Sequence, residues 1–220
     1  MAIFSNNLTS TLLLKSCIEN LNGEFKRILE IGCGSGFITR ELILSGKCSG
    51  TDNYLSDISA EAVDFAKKTL KDLVPSENFR VGSCLGPWKS ERFDLIVSDV
   101  AGISNSIAKI SSWYQGVEYE AGEDGLVNTL DVLYAAKNYL KPSGTLIFPI
   151  LSLSNRARLR VELNKVFPLW LETLETKWPL PSNIAEEFDL LKALSSEGSI
   201  DVDFKYGKVL ASTSIAICST

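Results

Sequence analysis

Gly32-Cys33-Gly34-Ser35-Gly36 puts three glycines directly after the apolar stretch of residues 28–31 and before a helical pattern over residues 37–44. Glycine is needed where the backbone takes a positive φ or lies close against a ligand. A turn of this kind after the first strand of a parallel sheet lies where strand order reverses, and ligands bind at that point. The spacing is G-x-G-x-G rather than the dinucleotide pattern G-x-G-x-x-G, and no Gly-Lys-Ser/Thr loop occurs. Glu30, just before the turn, is poor company for a pyrophosphate and suits a ligand carrying an amine or a positive charge. A carboxylate ending the second strand would accept ribose hydroxyls. Asp52, after an expected strand over residues 47–52, is preferred for this. Asp57 is the rival, although Asp57-Ile58-Ser59 also reads as the cap of the next helix.

The chain has no histidine among its 220 residues. That removes an imidazole base, a Ser-His-Asp triad and His-ligated metals. Carboxylates, Tyr, Ser, Lys, Cys or a bound cofactor remain, and a base, if the chemistry needs one, is expected to be a carboxylate. Asp99, directly after the expected strand over residues 93–98, is the candidate. Tyr114, Glu118, Tyr119 and Glu120 follow in a long loop and are expected to line a pocket for a second substrate or to form its lid. The four tryptophans read as core or groove wall, and Arg156, Arg158 and Arg160 as a solvated helix face.

These residues need a scaffold, and composition supports one. Apolar residues make up 45% and charged residues 22%, which is globular rather than disordered. The net charge of −5 gives no basic footprint for nucleic acid. Cys17, Cys33, Cys48, Cys84 and Cys218 form no C-x-x-C pair, so they read as free thiols in a reducing compartment, with no metal site. Without a secretory pattern at residues 1–7 or an apolar run of about 20 residues, a cytoplasmic, non-membrane protein is expected.

Strands over residues 27–31, 47–52, 79–81, 93–98 and 145–150 alternate with helices over residues 37–44, 59–73 and 126–140. This is the pattern of an α/β parallel sheet with helices on both faces. Residues 169–177 and 208–218 read as two further strands, antiparallel and at the sheet edge, which makes seven. Residues 8–21 read as a helix capped by Thr9 or Ser10, and residues 154–166 as another. Residues 102–125 and 179–207 are the two long candidate binding loops. One domain is expected: an N-terminal helical segment (1–24), a ligand-binding core (25–150) and a C-terminal helix with edge strands (151–220).

Glu30-Ile31-Gly32-Cys33-Gly34-Ser35-Gly36, with an acid at the second strand, resembles the class I S-adenosylmethionine-dependent methyltransferases. Asp57-Ile58-Ser59-Ala60-Glu61-Ala62-Val63, Arg92-Phe93-Asp94-Leu95-Ile96-Val97-Ser98, Glu120-Ala121-Gly122-Glu123-Asp124-Gly125-Leu126 and Tyr139-Leu140-Lys141-Pro142-Ser143-Gly144 resemble the small-methyltransferase group that includes the release-factor glutamine methyltransferases. The resemblance covers about residues 25–150. It implies a Rossmann-like, mostly parallel seven-stranded sheet whose last strand is antiparallel, and S-adenosylmethionine as cofactor. It also implies contacts from Glu30, Gly32, Cys33, Gly34 and Gly36 to the methionine moiety, from Asp52 to the ribose and from Ser83 and Cys84 to the adenine. Ser98 joins this set of cofactor contacts.

One departure matters. Where the glutamine and adenine methyltransferases of this group carry Asn-Pro-Pro-Tyr, this chain has Ser98-Asp99-Val100-Ala101-Gly102. The expected reaction is therefore methyl transfer to a small-molecule or peptide/protein acceptor, not to an amide or adenine nitrogen and not to nucleic acid. The alternative is a non-catalytic cofactor-binding or partner-binding subunit with the same fold.

Overall fold

The computed structural model describes residues 7–20, 27–114 and 119–220. In chain order its elements begin with α1 (Leu8–Asn20), β1 (Ile28–Ile31), α2 (Phe37–Leu44), β2 (Asn53–Asp57), α3 (Ala60–Thr69), β3 (Phe79–Val81) and β4 (Phe93–Ser98). There follow α4 (Asn105–Ile110), α5 (Val127–Ala136), β5 (Leu140–Leu151), α6 (Arg156–Val166), β6 (Trp170–Glu172) and β7 (Thr176–Pro179). The chain ends with α7 (Ser182–Ala185), α8 (Phe188–Ser196), β8 (Asp203–Lys205) and β9 (Lys208–Ser219).

The strands form one sheet in the order β3-β2-β1-β4-β5-β9-β6, with β7 and β8 also paired to β9. β1 to β5 pair in parallel, while β9 is antiparallel to β5, β6, β7 and β8. From β1 the chain extends the sheet first toward β2 and β3, then on its other side toward β4 and β5. That reversal at β1 opens a crevice beyond the carboxyl ends of β1 and β4.

Alternation along the strands divides the core into two layers. Leu29, Ile96, Leu146 and Phe148 pack with Leu130, Leu133, Leu159 and Leu163 from α5 and α6. Ile28, Leu95, Val97 and Ile147 pack with Leu13, Ile38 and Leu42 from α1 and α2. Strands covered on both faces need apolar side chains on both, and this is why β1 and β4 read as continuous apolar runs. The expected α/β, Rossmann-like architecture is therefore present, with helices on both faces.

The strand count is nine among the described residues rather than seven, for local reasons. Residues 169–177, expected as one strand, are two, β6 and β7, each on β9. Residues 179–207, expected as a loop, contain α7, α8 and β8. β9 is not an edge strand, since it pairs with β5 on one side and β6 on the other.

The second strand is displaced. It covers Asn53–Asp57, and Gly50–Asp52 is a 3-10 turn before it. A side chain at Gly50 would stand 1.7 Å from the Leu73 carbonyl oxygen, so this glycine marks a close crossing of two chain segments rather than a strand. Asn53 is fully buried and accepts Asn78 Nδ2 on its carbonyl at 2.9 Å, which fixes the start of β2.

The two long loops meet. Ile103, Ile107 and Ala108 from the first pack with Leu180, Ile184, Leu191 and Leu194 from the second, over Val209 and Ala211 of β9. This satellite core lies beside the crevice and carries the aromatic residues discussed below. Arg156, Arg158 and Arg160 of α6 are not merely solvated. They pair with Glu175 and Asp201, with Asp124, and with Glu172 respectively, which fastens α6 to the C-terminal strands and to the loop before α5.

Candidate functional site

A cleft of about 840 Å³ opens beyond the carboxyl ends of β1, β2 and β4. One wall is the glycine turn. Gly32 N and Cys33 N donate to the Ser56 carbonyl at 2.9 and 3.0 Å, which ties the turn to β2. Gly32 has a φ of 70°, and a Cβ there would lie 2.6 Å from the Asp99 carbonyl oxygen. Only glycine lets the β4 terminus pack directly on the turn. Gly34 lines the same wall, whereas Gly36 lies behind it as the residue that starts α2.

Asp57, at the end of β2, joins the turn to the next helix. Its Oδ2 accepts Gly34 N at 2.9 Å and its Oδ1 accepts Ser59 N at 2.9 Å. The capping of α3 falls to Ser59, whose Oγ accepts Ala62 N at 3.2 Å. Asp57 lines the cleft. Asp52 does not, because it lies in the turn before β2, at the far end of that strand. The strand-end carboxylate expected at Asp52 is therefore Asp57, and the preference for Asp52 is corrected.

Glu30 lies in the cleft floor with its side chain 2% exposed, and its Oε2 accepts Thr39 N at 3.0 Å and Thr39 Oγ1 at 2.5 Å. Burial pushes its carboxyl up to about 7, against the two Thr39 hydrogen bonds and with added repulsion from Asp99 and Asp57. Ser83 and Cys84 line the rim with Gly82, and Cys84 holds a positive φ of 47°.

Asp99 lines the same cleft, its backbone packed against the glycine turn. Its Oδ2 accepts Ser10 Oγ at 2.9 Å, from a residue 89 positions away on α1. Burial pushes the Asp99 carboxyl up to about 6, with the Ser10 hydrogen bond opposing. Ser10 is not the cap of α1. Asn7 is, its Oδ1 accepting Ser10 N at 3.0 Å. Ser98, expected among the cofactor contacts, lines a separate small cavity with Gly102, Thr129 and Phe148. Successive residues of a strand face opposite ways, so Asp99 in the cleft puts Ser98 behind the sheet.

The far side of the cleft is aromatic. Tyr114 and Tyr119, both expected there, line it with Trp113 and Trp178. Glu118 lies outside the described residues. Glu120 also lines the cleft, its side chain paired with Asn105 Nδ2, while Asn105 Oδ1 accepts Ala121 N at 3.0 Å. Asn128 Nδ2 spans the Ala101 and Glu120 carbonyls at 3.2 and 2.8 Å and so ties the β4 terminus to the loop. Among the described residues no lysine or arginine lines the cleft.

Ser10, Trp113 and Trp178 were not singled out for the site by their sequence. Ser10 reads locally as a helix cap, and its partner is distant. Trp88 and Trp170 are wall or core as expected, Trp88 being fully buried with its indole N–H on Ser56 Oγ at 2.9 Å.

Parts of the chain are similar to known proteins. Residues 2–99 match the family model described as methyltransferase small domain. A bifunctional methyltransferase from Rickettsia typhi is 32% identical over 161 residues, covering 68% of this chain and 30% of that protein. A second, from Rickettsia prowazekii, is 29% identical over 158 residues, with the same shares covered. The chain thus spans under a third of the length of these relatives.

Solved structures share the fold. A ribosomal protein L11 methylase from Lactobacillus delbrueckii subsp. bulgaricus superposes with a TM-score of 0.57 at 16% identity, covering 98% of this chain and 80% of that one. The B. subtilis M1A22 tRNA methyltransferase TrmK superposes with a TM-score of 0.52 at 15% identity, covering 98% of this chain and 68% of that one.

Proposed function

The chain belongs to the small-methyltransferase group of class I S-adenosylmethionine-dependent methyltransferases, and we propose that it methylates a small-molecule or protein side-chain acceptor held against Asp99. The observation that carries this reading is a single cleft lined by the glycine turn, Asp57 and Asp99.

The residues present suit the cofactor. Asp57 is a carboxylate at a strand end that lines the cleft and would accept ribose hydroxyls. The turn at residues 32–34, with Glu30 beneath it, would hold the methionine moiety, and Ser83 with Cys84 would flank the adenine. Glu30, Asp57 and Asp99 line one cleft with no basic side chain among the described lining residues, which suits a sulfonium cation. When bound, the cofactor supplies an electrophilic methyl group. The chain positions the acceptor and limits water. Asp99 is the group that would hold a proton from the acceptor, since its raised pKa of about 6 brings it nearer to working pH than an ordinary carboxylate.

An amide or adenine nitrogen is a poor fit. A planar amide needs both a donor and an acceptor facing it, and asparagine offers both, whereas an ionised aspartate only accepts. Gly102 replaces the stacking aromatic and is buried away from the cleft. The fold alone does not decide this, because TrmK shares it. What argues against nucleic acid here is the net charge of −5 and the absence of a basic lining among the described residues.

Incubating the protein and methyl-labelled S-adenosylmethionine with a cell extract, then separating small molecules, protein and RNA, tests the reading. Label is expected among small molecules or on protein. Label on RNA contradicts it, and cofactor binding without any transfer favours a non-catalytic subunit instead.

A further inference from the structure

The acceptor side of the cleft combines four rings with the carboxylates of Asp99 and Glu120. Trp113 and Trp178 meet edge to face with centroids 5.9 Å apart, and Tyr114 and Tyr119 lie tilted at 5.5 Å. All four line the cleft into which Asp99 faces. Trp113, Tyr114 and Tyr119 come from the first long loop and Trp178 from β7, and all four pack against the satellite core. The ring of Trp178 is held by its indole N–H, which donates to Thr213 Oγ1 at 3.1 Å.

This lining discriminates by charge. Aromatic faces carry negative potential and attract cations, most strongly where water is excluded. Tyr114 stays a neutral phenol, because burial and the Asp99 charge hold its pKa well above the ordinary value. Every charged side chain described in the cleft wall is an acid: Glu30, Asp57, Asp99 and Glu120. A carboxylate or phosphate acceptor would meet no countercharge from a described side chain, and a neutral alcohol would leave the ring faces and Asp99 without a cation.

We propose that the acceptor is an organic amine, recognised as its ammonium ion between Asp99 and the rings of Trp113, Tyr114, Tyr119 and Trp178. This rests on the methyl-transfer reading above and names its substrate class. Asp99 first takes one proton from the ammonium. The nitrogen lone pair then forms the new C–N bond to the methyl carbon as the C–S bond breaks. The electrons of that bond stay on sulfur, which leaves as a neutral thioether, and the product is a methylated ammonium. The proton passes from Asp99 to water. The sulfonium charge beside the nitrogen favours its neutral form and so assists the first step.

Three probes of similar shape test the charge preference on the full chain saturated with S-adenosylhomocysteine, whose thioether is neutral: phenethylamine, 2-phenylethanol and 3-phenylpropionate. Tryptophan fluorescence and calorimetry report binding. Phenethylamine is expected to bind about tenfold or more tighter than the alcohol, with no binding of the carboxylate. Asp99→Asn is expected to erase the preference. Tyr119→Leu is expected to weaken phenethylamine about fivefold while leaving S-adenosylhomocysteine affinity unchanged. An alcohol or carboxylate that binds as well as the amine, an amine that does not bind, or a preference that survives in Asp99→Asn overturns the proposal. Failure of S-adenosylhomocysteine itself to bind, seen before any probe is added, overturns the cofactor reading on which the proposal stands.

Discussion

Asp57→Ala is expected to lower the affinity for S-adenosylhomocysteine by about 100-fold or more, while Asp52→Ala leaves it essentially unchanged. The Asp57 carboxylate accepts Gly34 N and Ser59 N, each at 2.9 Å. Hydrogen bonds to a charged group contribute about 1.5–3 kcal/mol each, and every 1.4 kcal/mol is roughly tenfold in affinity. Removing the carboxylate frees the glycine turn and, on the proposed reading, removes the partner for the ribose. Asp52 lies before β2, about 16 Å away along a five-residue strand at roughly 3.3 Å per residue. Titration calorimetry on both variants reads the difference directly. Comparable losses in the two, or an intact affinity in Asp57→Ala, would show that the strand-end carboxylate does not hold the ribose.

Asp99→Asn is expected to slow methyl transfer by about 10²–10³-fold, the usual contribution of a positioned acid–base group, with little change in cofactor affinity. Asparagine has nearly the same shape and can still accept from Ser10 Oγ, so the cleft stays intact. Without a titrating group at this position, the limb of the pH–rate profile near pH 6 disappears. Ser10→Ala serves as a second readout. The Ser10 hydrogen bond lowers the Asp99 pKa, so removing it raises that pKa and moves the limb to higher pH. A purely structural role for Ser10 would change the rate without moving the limb. Full activity in Asp99→Asn would place the proton elsewhere.

Much of the glycine-turn side of the cleft was legible in the sequence because it is local. The turn at residues 32–36 follows β1 and opens α2 within one continuous stretch, and three glycines, each with a positive φ, mark it. The second strand was less legible. Asn53, Ser56 and Asp57 dilute its apolar signal, while Cys48 lends one to residues that do not form a strand. Once the strand is placed, Asp57 rather than Asp52 stands at its carboxyl end and lines the cleft. Ser98 is a different case. The two-residue period of β4 already implies that Ser98 and Asp99 face opposite ways, so that signal was in the sequence.

The other side of the cleft was legible only in part: Asp99, Tyr114, Tyr119 and Glu120 were expected there, whereas Ser10, Trp113 and Trp178 were not. Ser10 and Asp99 meet across 89 positions, and no local pattern announces the contact. Trp113 lies in a segment that reads as a loop, and Trp178 lies between an expected strand, 169–177, and an expected loop, 179–207. Their meeting depends on α4, α7 and α8, short helices whose apolar residues have no partner until the two segments pack on each other. Family resemblance did not supply these positions either, since the departure at residues 98–102 falls where the acceptor is chosen.

The most direct test of the central claim is a crystal structure of the chain bound to S-adenosylhomocysteine. One molecule is predicted in the cleft, with its ribose hydroxyls on the Asp57 carboxylate, its adenine beside Ser83 and Cys84, and its sulfur facing Asp99 and the four rings. A molecule bound with its ribose at Asp52, or outside the cleft altogether, would contradict the account.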